Sequence, residues 1–167
     1  GDIKGSGTLD FSSENVFKNS GRIDVGDSDA TGTLTIKGTT ELKEDSELIF
    51  QLAGETKGTQ YDALSFTQGV TTLGGRLRIN STVTPTVGAT FAIITTTSLA
   101  GDFSEMLGLD LSTSLVLDYQ KSGNNIKLVA VTVDLQGTSS NDTLSGTSAA
   151  EIITGGAGND IVSFVGL

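Results

Sequence analysis

The sequence contains no cysteine, no histidine and no tryptophan, and it has a single proline among 167 residues. Without cysteine or histidine the chain has no thiol nucleophile, no imidazole base and none of the usual zinc ligands, and a Ser-His-Asp triad is excluded. The acidic side chains that remain suit a hard cation that takes oxygen ligands, and calcium is the first candidate. The absence of cysteine fits a secreted bacterial protein and also a cytosolic one.

Basic residues are scarce as well, since 10 Lys and Arg stand against 20 Asp and Glu, which gives a net charge of -10. This charge repels phosphate backbones and anionic lipid, so a nucleic-acid partner is not expected. The chain has no apolar run of the length that a membrane span needs and no cationic start, so neither a membrane span nor a signal peptide is predicted. Because the chain begins at Gly1, we expect it to be a fragment of a longer protein.

Glycine and threonine are abundant, with 22 and 24 residues, whereas aromatic residues make up only 5%. This composition favours strands and tight turns over helices. Units of two apolar residues around one outward residue recur about every 13 residues up to residue 128, and each is typical of a strand with one buried face. The chain is therefore predicted to be all-β. The residues expected to fill its narrow core are Leu34, Ile36, Phe50, Leu64, Phe66, Leu77, Ile79, Phe91, Ile93, Leu117 and Leu128.

Two architectures fit this spacing: a parallel β-solenoid, in which two or three strands form each rung, and an antiparallel sandwich. Two-residue Asn-Gly and Asp-Gly hairpin turns are missing, while the glycine-flanked segments 32–38 and 73–79 suit the corners of a solenoid. The favoured fold is a right-handed parallel β-helix over residues 1–134. The stretches 41–47 and 104–109 carry only weak helical signals and are expected to be loops or single turns.

The pattern changes at Asp134, and three nine-residue blocks follow at 137–145, 146–154 and 155–163. The chain is therefore divided into a solenoid, residues 1–134, and a tail, residues 135–167. The alternative for the tail is a flexible linker rich in Gly, Ser, Thr and Asn. A linker gives no reason for Leu144, Ile153 and Val162 to recur at nine-residue intervals, so the repeat is favoured.

The third block carries glycines at three fixed places, an aspartate and a large apolar residue: Gly155, Gly156, Gly158, Asp160 and Val162. At every defined position it resembles the glycine-rich nonapeptide repeat of RTX proteins, G-G-x-G-x-D-x-U-x, where U is a large apolar residue. Such a repeat pairs a six-residue turn with a three-residue strand. Consecutive turns alternate between two sides of a flattened β-roll, so turns 18 residues apart stack on the same side.

The RTX resemblance implies a calcium ion shared by Asp142 and Asp160, which are 18 residues apart. The backbone carbonyl groups that it implies as further ligands are those of Gly137, Ser139, Gly156 and Gly158. Thr138 and Ser140 replace two glycines in the first block, so a modest affinity is expected. The second block has Glu151 at the acidic position and no complete later block to pair with it, so a second site is expected to be incomplete.

Segments of the predicted solenoid also carry a resemblance. Residues 24–36, 58–64, 73–77 and 88–94, followed by 101–103, look like the β-helical stalks of large bacterial surface proteins, including autotransporter passengers and filamentous adhesins. This resemblance implies a structural role and no catalytic residue.

Together these features predict a non-enzymatic, calcium-binding segment of a secreted bacterial cell-surface or extracellular structural or adhesin protein. The RTX resemblance implies type I export and calcium-dependent folding of the tail outside the cell. The expected partners are calcium and a glycan or receptor on a host or neighbouring cell, whose identity stays open. Two alternatives remain: a self-assembling filament or surface-layer module, joined end to end through the uncapped residues 1–12, and part of a β-helical polysaccharide-active enzyme.

An acidic cluster in the solenoid, Asp24, Asp27 and Asp29, could form a further calcium site, although a solvated turn is the favoured interpretation. The dipeptide Tyr61-Asp62 could be half of a sugar-binding or catalytic pair, but a structural role is favoured. The four carboxylates within 41–47 could in principle supply a glycosidase pair, and a solvated loop is favoured. Arg76 and Arg78 could meet an acidic polysaccharide, and a surface salt-bridge ladder is favoured.

Overall fold

The structure is a computed structural model that describes residues 1–13, 16–112, 115–132, 135–146 and 153–164. Within these residues the chain forms twenty β-strands and no helix, so the predicted all-β class is confirmed. Accordingly, this part of the chain contains no helix that is long and apolar enough to cross a membrane.

Four rungs, each made of three strands, form most of the solenoid. The first rung consists of β1 (Ile3–Gly5), β2 (Gly7–Asp10) and β3 (Phe17–Asn19). The second consists of β4 (Arg22–Val25), β5 (Thr33–Lys37) and β6 (Thr40–Leu42). The third consists of β7 (Glu47–Leu52), β8 (Ala63–Thr67) and β9 (Thr71–Leu73). The fourth consists of β10 (Arg76–Ser81), β11 (Thr90–Thr96) and β12 (Leu99–Gly101).

The remaining strands complete the solenoid and build the tail. The solenoid ends with β13 (Glu105–Leu107), β14 (Asp110–Ser112), β15 (Leu115–Ser122) and β16 (Asn125–Thr132). The tail contains β17 (Leu135–Gln136), β18 (Thr143–Gly146), β19 (Ile153–Thr154) and β20 (Ile161–Phe164). The sheets of the described tail strands contain no strand of the solenoid.

Successive rungs pair in parallel, so that equivalent strands form three sheets. The first sheet has the order β1-β4-β7-β10-β13, the third has the order β12-β9-β6-β3, and the second contains β2, β5, β8 and β11 as parallel neighbours. Equivalent apolar residues stay in register, as in the column Ile23, Leu48 and Leu77 of the first sheet. This arrangement confirms the parallel β-solenoid over the antiparallel sandwich.

The interior of the solenoid is a continuous apolar column. All eleven residues predicted to fill it are buried, and none is more than 3% exposed. The largest are Phe50 and Phe66 of the third rung and Phe91 of the fourth. Period-2 alternation in the strands therefore identified the inward face correctly, because successive side chains in a strand point to opposite faces of the sheet.

The third sheet was not recognised in the sequence. Its strands are only three residues long, and inward threonines interrupt their apolar pattern: Thr40 is 0% exposed and Thr71 is 1% exposed. The Thr40 hydroxyl donates to the carbonyl oxygen of Gly38 at 3.3 Å, which meets its hydrogen-bonding need locally. The apolar units that recur about every 13 residues therefore correspond to strands of the first and second sheets, and they miss the strand that each rung contributes to the third sheet.

The end of the solenoid corrects the expectation of parallel coiling throughout residues 1–134. Strands β11, β16, β15 and β14 are antiparallel neighbours, and β15 and β16 form a long hairpin. Ser122 pairs with Asn125 across a two-residue turn, Gly123-Asn124, in which Gly123 has φ +58°. A Gly-Asn pair is also a hairpin turn signal, so the absence of Asn-Gly and Asp-Gly pairs did not exclude a hairpin here.

The Gly74-Gly75 corner between β9 and β10 shows why the predicted glycine-flanked segments suit a solenoid. Gly75 has φ +68°, and a Cβ there would lie 2.1 Å from the carbonyl oxygen of Ser46 in the preceding rung. A Cβ at Gly74 would lie 2.4 Å from the carbonyl oxygen of Leu42. Adjacent rungs can therefore stack at this corner only if both positions lack a side chain.

Candidate calcium site

The tail strands pair in two parallel couples with an 18-residue offset. In one couple Thr143 lies opposite Ile161 and Leu144 opposite Val162, and in the other Leu135 lies opposite Ile153. This is the predicted RTX-type parallel β-roll, in which turns 18 residues apart lie on the same side.

The turns at 137–142 and 155–160 stack closely because glycines line their contact. Gly156 and Gly158 have φ +88° and +129°, and Cβ atoms there would lie 2.0 Å from the Thr138 carbonyl oxygen and 2.7 Å from the Ser140 carbonyl oxygen. A Cβ at Gly137 would lie 1.9 Å from the Gly155 carbonyl oxygen. The site is therefore a narrow cradle of backbone oxygens that side chains would fill.

Asp142 and Asp160, the two predicted carboxylate ligands, are brought together by this stacking. The Asp142 backbone N–H donates to Oδ1 of Asp160 at 3.0 Å, and both residues are half-buried. The Asp142 carboxylate also accepts the Thr138 N–H at 2.6 Å and the Thr138 hydroxyl at 3.0 Å. The tail sequence from residue 135 to 167 contains no Lys and no Arg, so no basic side chain of the tail neutralises these two charges.

The other predicted ligands lie in the same two turns. Gly137 contacts the Asp142 side chain, since a Cβ there would be 3.0 Å from Asp142 Oδ2, and Ser139 lies in the exposed bend that follows. Gly156 and Gly158 lie in the facing turn. The donor set fits calcium, because it consists of oxygens alone and combines carboxylates with backbone carbonyl groups. Which carbonyl groups coordinate the ion stays a prediction, and Glu151 of the second site lies outside the described residues.

Two polar residues of the first turn were not assigned a role from the sequence. Thr138 donates to the Asp142 carboxylate through its backbone and its hydroxyl group. The side-chain oxygen of Asn141 accepts the backbone N–H of Asn159 at 2.8 Å. A signal for the second contact was present, because asparagine precedes the aspartate in both the first and the third block.

The comparison with protein families agrees with this geometry. The family model described as the RTX calcium-binding nonapeptide repeat (4 copies) matches residues 134–163. The tail carries RTX repeats. The match supports calcium binding by a secreted RTX-type protein, and it covers the tail rather than the solenoid. None of the curated proteins matches the chain significantly.

The acidic cluster of the solenoid does not assemble into a metal site. Asp24 is 3% exposed and its carboxylate accepts a hydrogen bond from the Gln51 side-chain amide at 2.9 Å. Asp27 instead accepts the N–H of its neighbour Ser28, and Asp29 is exposed. In the part of the chain that the structure describes, no three acidic side chains converge as a metal-binding group. Asp27 and Asp29 lie in the expected solvated turn, whereas Asp24 is buried in β4, which corrects the interpretation for that residue.

The charged side chains of the first sheet form a salt-bridge ladder across rungs. Glu47 pairs with Arg78 at 2.8 Å and with Arg22 at 3.4 Å, and Arg76 pairs with Glu105 at 3.7 Å. Glu41 contacts Lys43 and lies 3.8 Å from Lys18. The ladder is the favoured interpretation of Arg76 and Arg78. Glu41 and Glu47 lie in β6 and β7 rather than in the expected solvated loop, and both have basic partners, which argues against a glycosidase pair.

Tyr61 and Asp62 are structural residues at the entrance to β8. Tyr61 is 5% exposed and packs edge-on against Phe91, with ring centroids 5.2 Å apart. Asp62 is fully buried, and its two carboxylate oxygens accept the backbone N–H groups of Gly32 and Gln51, each at 2.6 Å. The carboxylate thereby joins three segments of two rungs, and it has no open face for substrate.

Burial raises the pKa of Asp62 to about 7, against the lowering effect of these two N–H donors, and nearby Asp24 raises it further. Between pH 3.8, the ordinary pKa of an aspartate, and about 7, Asp62 keeps its proton in the folded chain and loses it in the unfolded chain. We expect the free energy of unfolding to fall as the pH rises through this window, by at most about 1.4 kcal/mol per pH unit, and to level off above it. Urea denaturation in chelator at pH 5 to 7.5 measures the slope.

Asp62→Asn is the matched variant, because it cannot ionise and keeps one side-chain oxygen as an acceptor. It should be less stable than the wild type and should lose the slope. The carboxyl groups of Asp10, Glu41 and Glu55 have pKa values lowered by hydrogen bonds, so they contribute no slope above about pH 5. An equal slope in both proteins would show that Asp62 does not titrate in this range.

Proposed function

We propose that this chain is a non-catalytic segment of a secreted bacterial cell-surface or extracellular structural protein, in which calcium orders the tail next to a rigid β-solenoid stalk. In this proposal the parent protein leaves the cell by type I export, and the tail folds where calcium is abundant. An adhesin role follows from the resemblance of the solenoid to stalks of surface proteins. End-to-end association and a glycan or receptor partner stay predictions.

The observation that carries the proposal is the stacking of two aspartate turns in a tail that has no basic residue. The Asp142 backbone N–H donates to the Asp160 carboxylate, so the two acidic residues are neighbours across the stacked turns, and like charges in a compact site repel. A divalent cation between the two turns removes this repulsion and supplies the positive charge that the tail lacks. The matching RTX family model supports the same ion.

A non-catalytic solenoid is supported by the way its charges are used. The outward carboxylates and guanidinium groups of the first sheet pair with one another across rungs. The buried carboxylate of Asp62 is bonded to backbone N–H groups and has no access to solvent.

Calcium binding would act as a switch through simple linkage. A ligand that binds only the folded tail stabilises it by RT ln(1 + [L]/Kd), which is about 2.7 kcal/mol at a hundredfold excess of free ligand over Kd. In the low free calcium of the cytosol this contribution nearly vanishes. The tail would thus stay open during export and close outside the cell.

The test is a calcium titration of the full chain by calorimetry, combined with amide hydrogen exchange in calcium and in chelator. We expect saturable calcium binding, amide protection in 137–146 and 153–163 that is weak in chelator and strong in calcium, and equal protection of the solenoid in both conditions. Magnesium at the same ionic strength is the control, and it should bind more weakly because it loses its hydration water reluctantly. Absence of calcium binding, or a tail equally protected in chelator, would contradict the proposal.

A further inference from the structure

The two turns of the calcium site are tied together by an asparagine side chain. Oδ1 of Asn141 accepts the backbone N–H of Asn159 at 2.8 Å, and the two residues are 18 positions apart. Asn141 directly precedes Asp142, and Asn159 directly precedes Asp160. The tie therefore lies one residue from each of the carboxylates that calcium would bridge.

The contact is distinct from the backbone ladder of the roll. Ala157 donates its N–H to the Thr138 carbonyl oxygen at 3.1 Å, and Ile161 donates its N–H to the Asp142 carbonyl oxygen at 2.8 Å. These two bonds lie on either side of Asn159 in the chain. At Asn159 itself the side chain of Asn141 takes the place of a backbone acceptor and completes the connection between the turns.

The asparagine at position 141 accepts this hydrogen bond without adding charge. The two turns must approach although each carries a carboxylate and the tail has no Lys or Arg. A neutral amide oxygen can hold the second turn in place, whereas a third carboxylate would add to the repulsion when no metal is bound.

We propose that Asn141 is a positioning residue for calcium: it holds the second turn in register so that Asp160 lies beside Asp142 when the ion arrives. This inference rests on the proposed calcium site. Asn141 acts through the backbone of Asn159 and is not itself a calcium ligand. The side chain of Asn159 has no part in the tie, because Asn159 contributes its backbone N–H.

The expected effect follows from the population of stacked turns. Apparent affinity is the intrinsic affinity multiplied by the fraction of molecules in the binding-competent arrangement. Loss of one neutral hydrogen bond should lower that fraction, and with it the apparent affinity, by about threefold to tenfold.

The two asparagines offer a matched pair of variants in the full chain. Asn141→Ala removes the acceptor and should weaken calcium binding about threefold to tenfold by calorimetry. Asn159→Ala keeps the backbone donor and should bind calcium as the wild type does. Asn141→Asp keeps an acceptor oxygen, so it should retain wild-type or tighter binding in calcium and show lower tail protection in chelator, because of its added charge.

Amide exchange at residue 159, read by NMR in saturating calcium, is the second measurement. This amide should exchange faster in Asn141→Ala, whereas the alanine amide in Asn159→Ala should stay protected. Equal affinities in Asn141→Ala and the wild type, or equal losses in the two alanine variants, would overturn the positioning role while leaving calcium binding intact. Absence of calcium binding in the wild type would overturn both this role and the proposed function.

Discussion

Replacement of Leu77 by alanine should lower the free energy of unfolding of the solenoid by about 2 to 5 kcal/mol, as large-to-small changes in a packed core do. Leu77 is 0% exposed and lies in β10, between Leu48 of the preceding rung and Met106 of β13. Each rung of a solenoid packs only on its neighbours, so a cavity in an interior rung weakens the contacts on both sides. Urea denaturation followed by circular dichroism measures the loss.

Val87→Ala is the matched control for this prediction. Val87 is 64% exposed in the segment between β10 and β11, so the loss of its methyl groups should change stability by no more than about 0.5 kcal/mol. Calcium affinity should be the same in both variants, because the tail strands pair only with one another in the described sheets. Equally small losses in Leu77→Ala and Val87→Ala would mean that the solenoid interior is not the packed column seen in the structure.

The inward face of the solenoid could be predicted because it depends on a local rule. Leu34 and Ile36 flank one outward residue, and the pleat of a strand then places both in the core. The third sheet escaped detection because Thr40 and Thr71 occupy inward positions where an apolar residue was sought. The Thr40 hydroxyl donates to the carbonyl oxygen of Gly38, whereas the buried Thr71 hydroxyl has no hydrogen-bond partner in the described part of the chain. Periodicity predicts neither position, because both are polar residues on the inward face.

The antiparallel end of the solenoid shows a different limit of sequence reasoning. The apolar residues of β15 and β16 indicate strands whether their neighbours are parallel or antiparallel. Only the turn distinguishes the two, and the decisive residues are Gly123 and Asn124. Strand content was therefore predictable here, whereas strand direction depended on one two-residue turn.

At the candidate calcium site, the sequence could predict that two aspartates meet, and whether they bind calcium stays a prediction. The 18-residue spacing of Asp142 and Asp160 follows from the length of the repeat, and the structure stacks the two turns accordingly. The contacts of Thr138 and Asn141 are set by how the stacked turns meet in three dimensions. Such contacts have no periodic signature strong enough to assign a donor and an acceptor from the sequence.

Loss of the charge at Asp160 should abolish calcium-dependent ordering of the tail and leave the solenoid intact. Asp160→Asn suits this test, because the asparagine oxygen can still accept the Asp142 N–H that Oδ1 of Asp160 accepts at 3.0 Å. The variant thus removes one charged ligand while it keeps the hydrogen bond between the turns. We expect calcium affinity to fall by at least about tenfold, since ligand charge is a main determinant of affinity at calcium sites.

Without calcium, the same variant should not lower the amide protection of the tail. This result would distinguish loss of calcium binding from a general destabilisation of the tail. In chelator, Asp160→Asn relieves the repulsion between the two carboxylates, so its tail should exchange amide hydrogens no faster than the wild-type tail. In calcium, the wild-type tail should become protected and the variant tail should not. Asp29→Asn, an equal change of charge on an exposed loop of the solenoid, should bind calcium as the wild type does. If Asp160→Asn retained wild-type affinity, or if its tail were less protected than the wild type in chelator, Asp160 would be a structural residue of the turn rather than a calcium ligand.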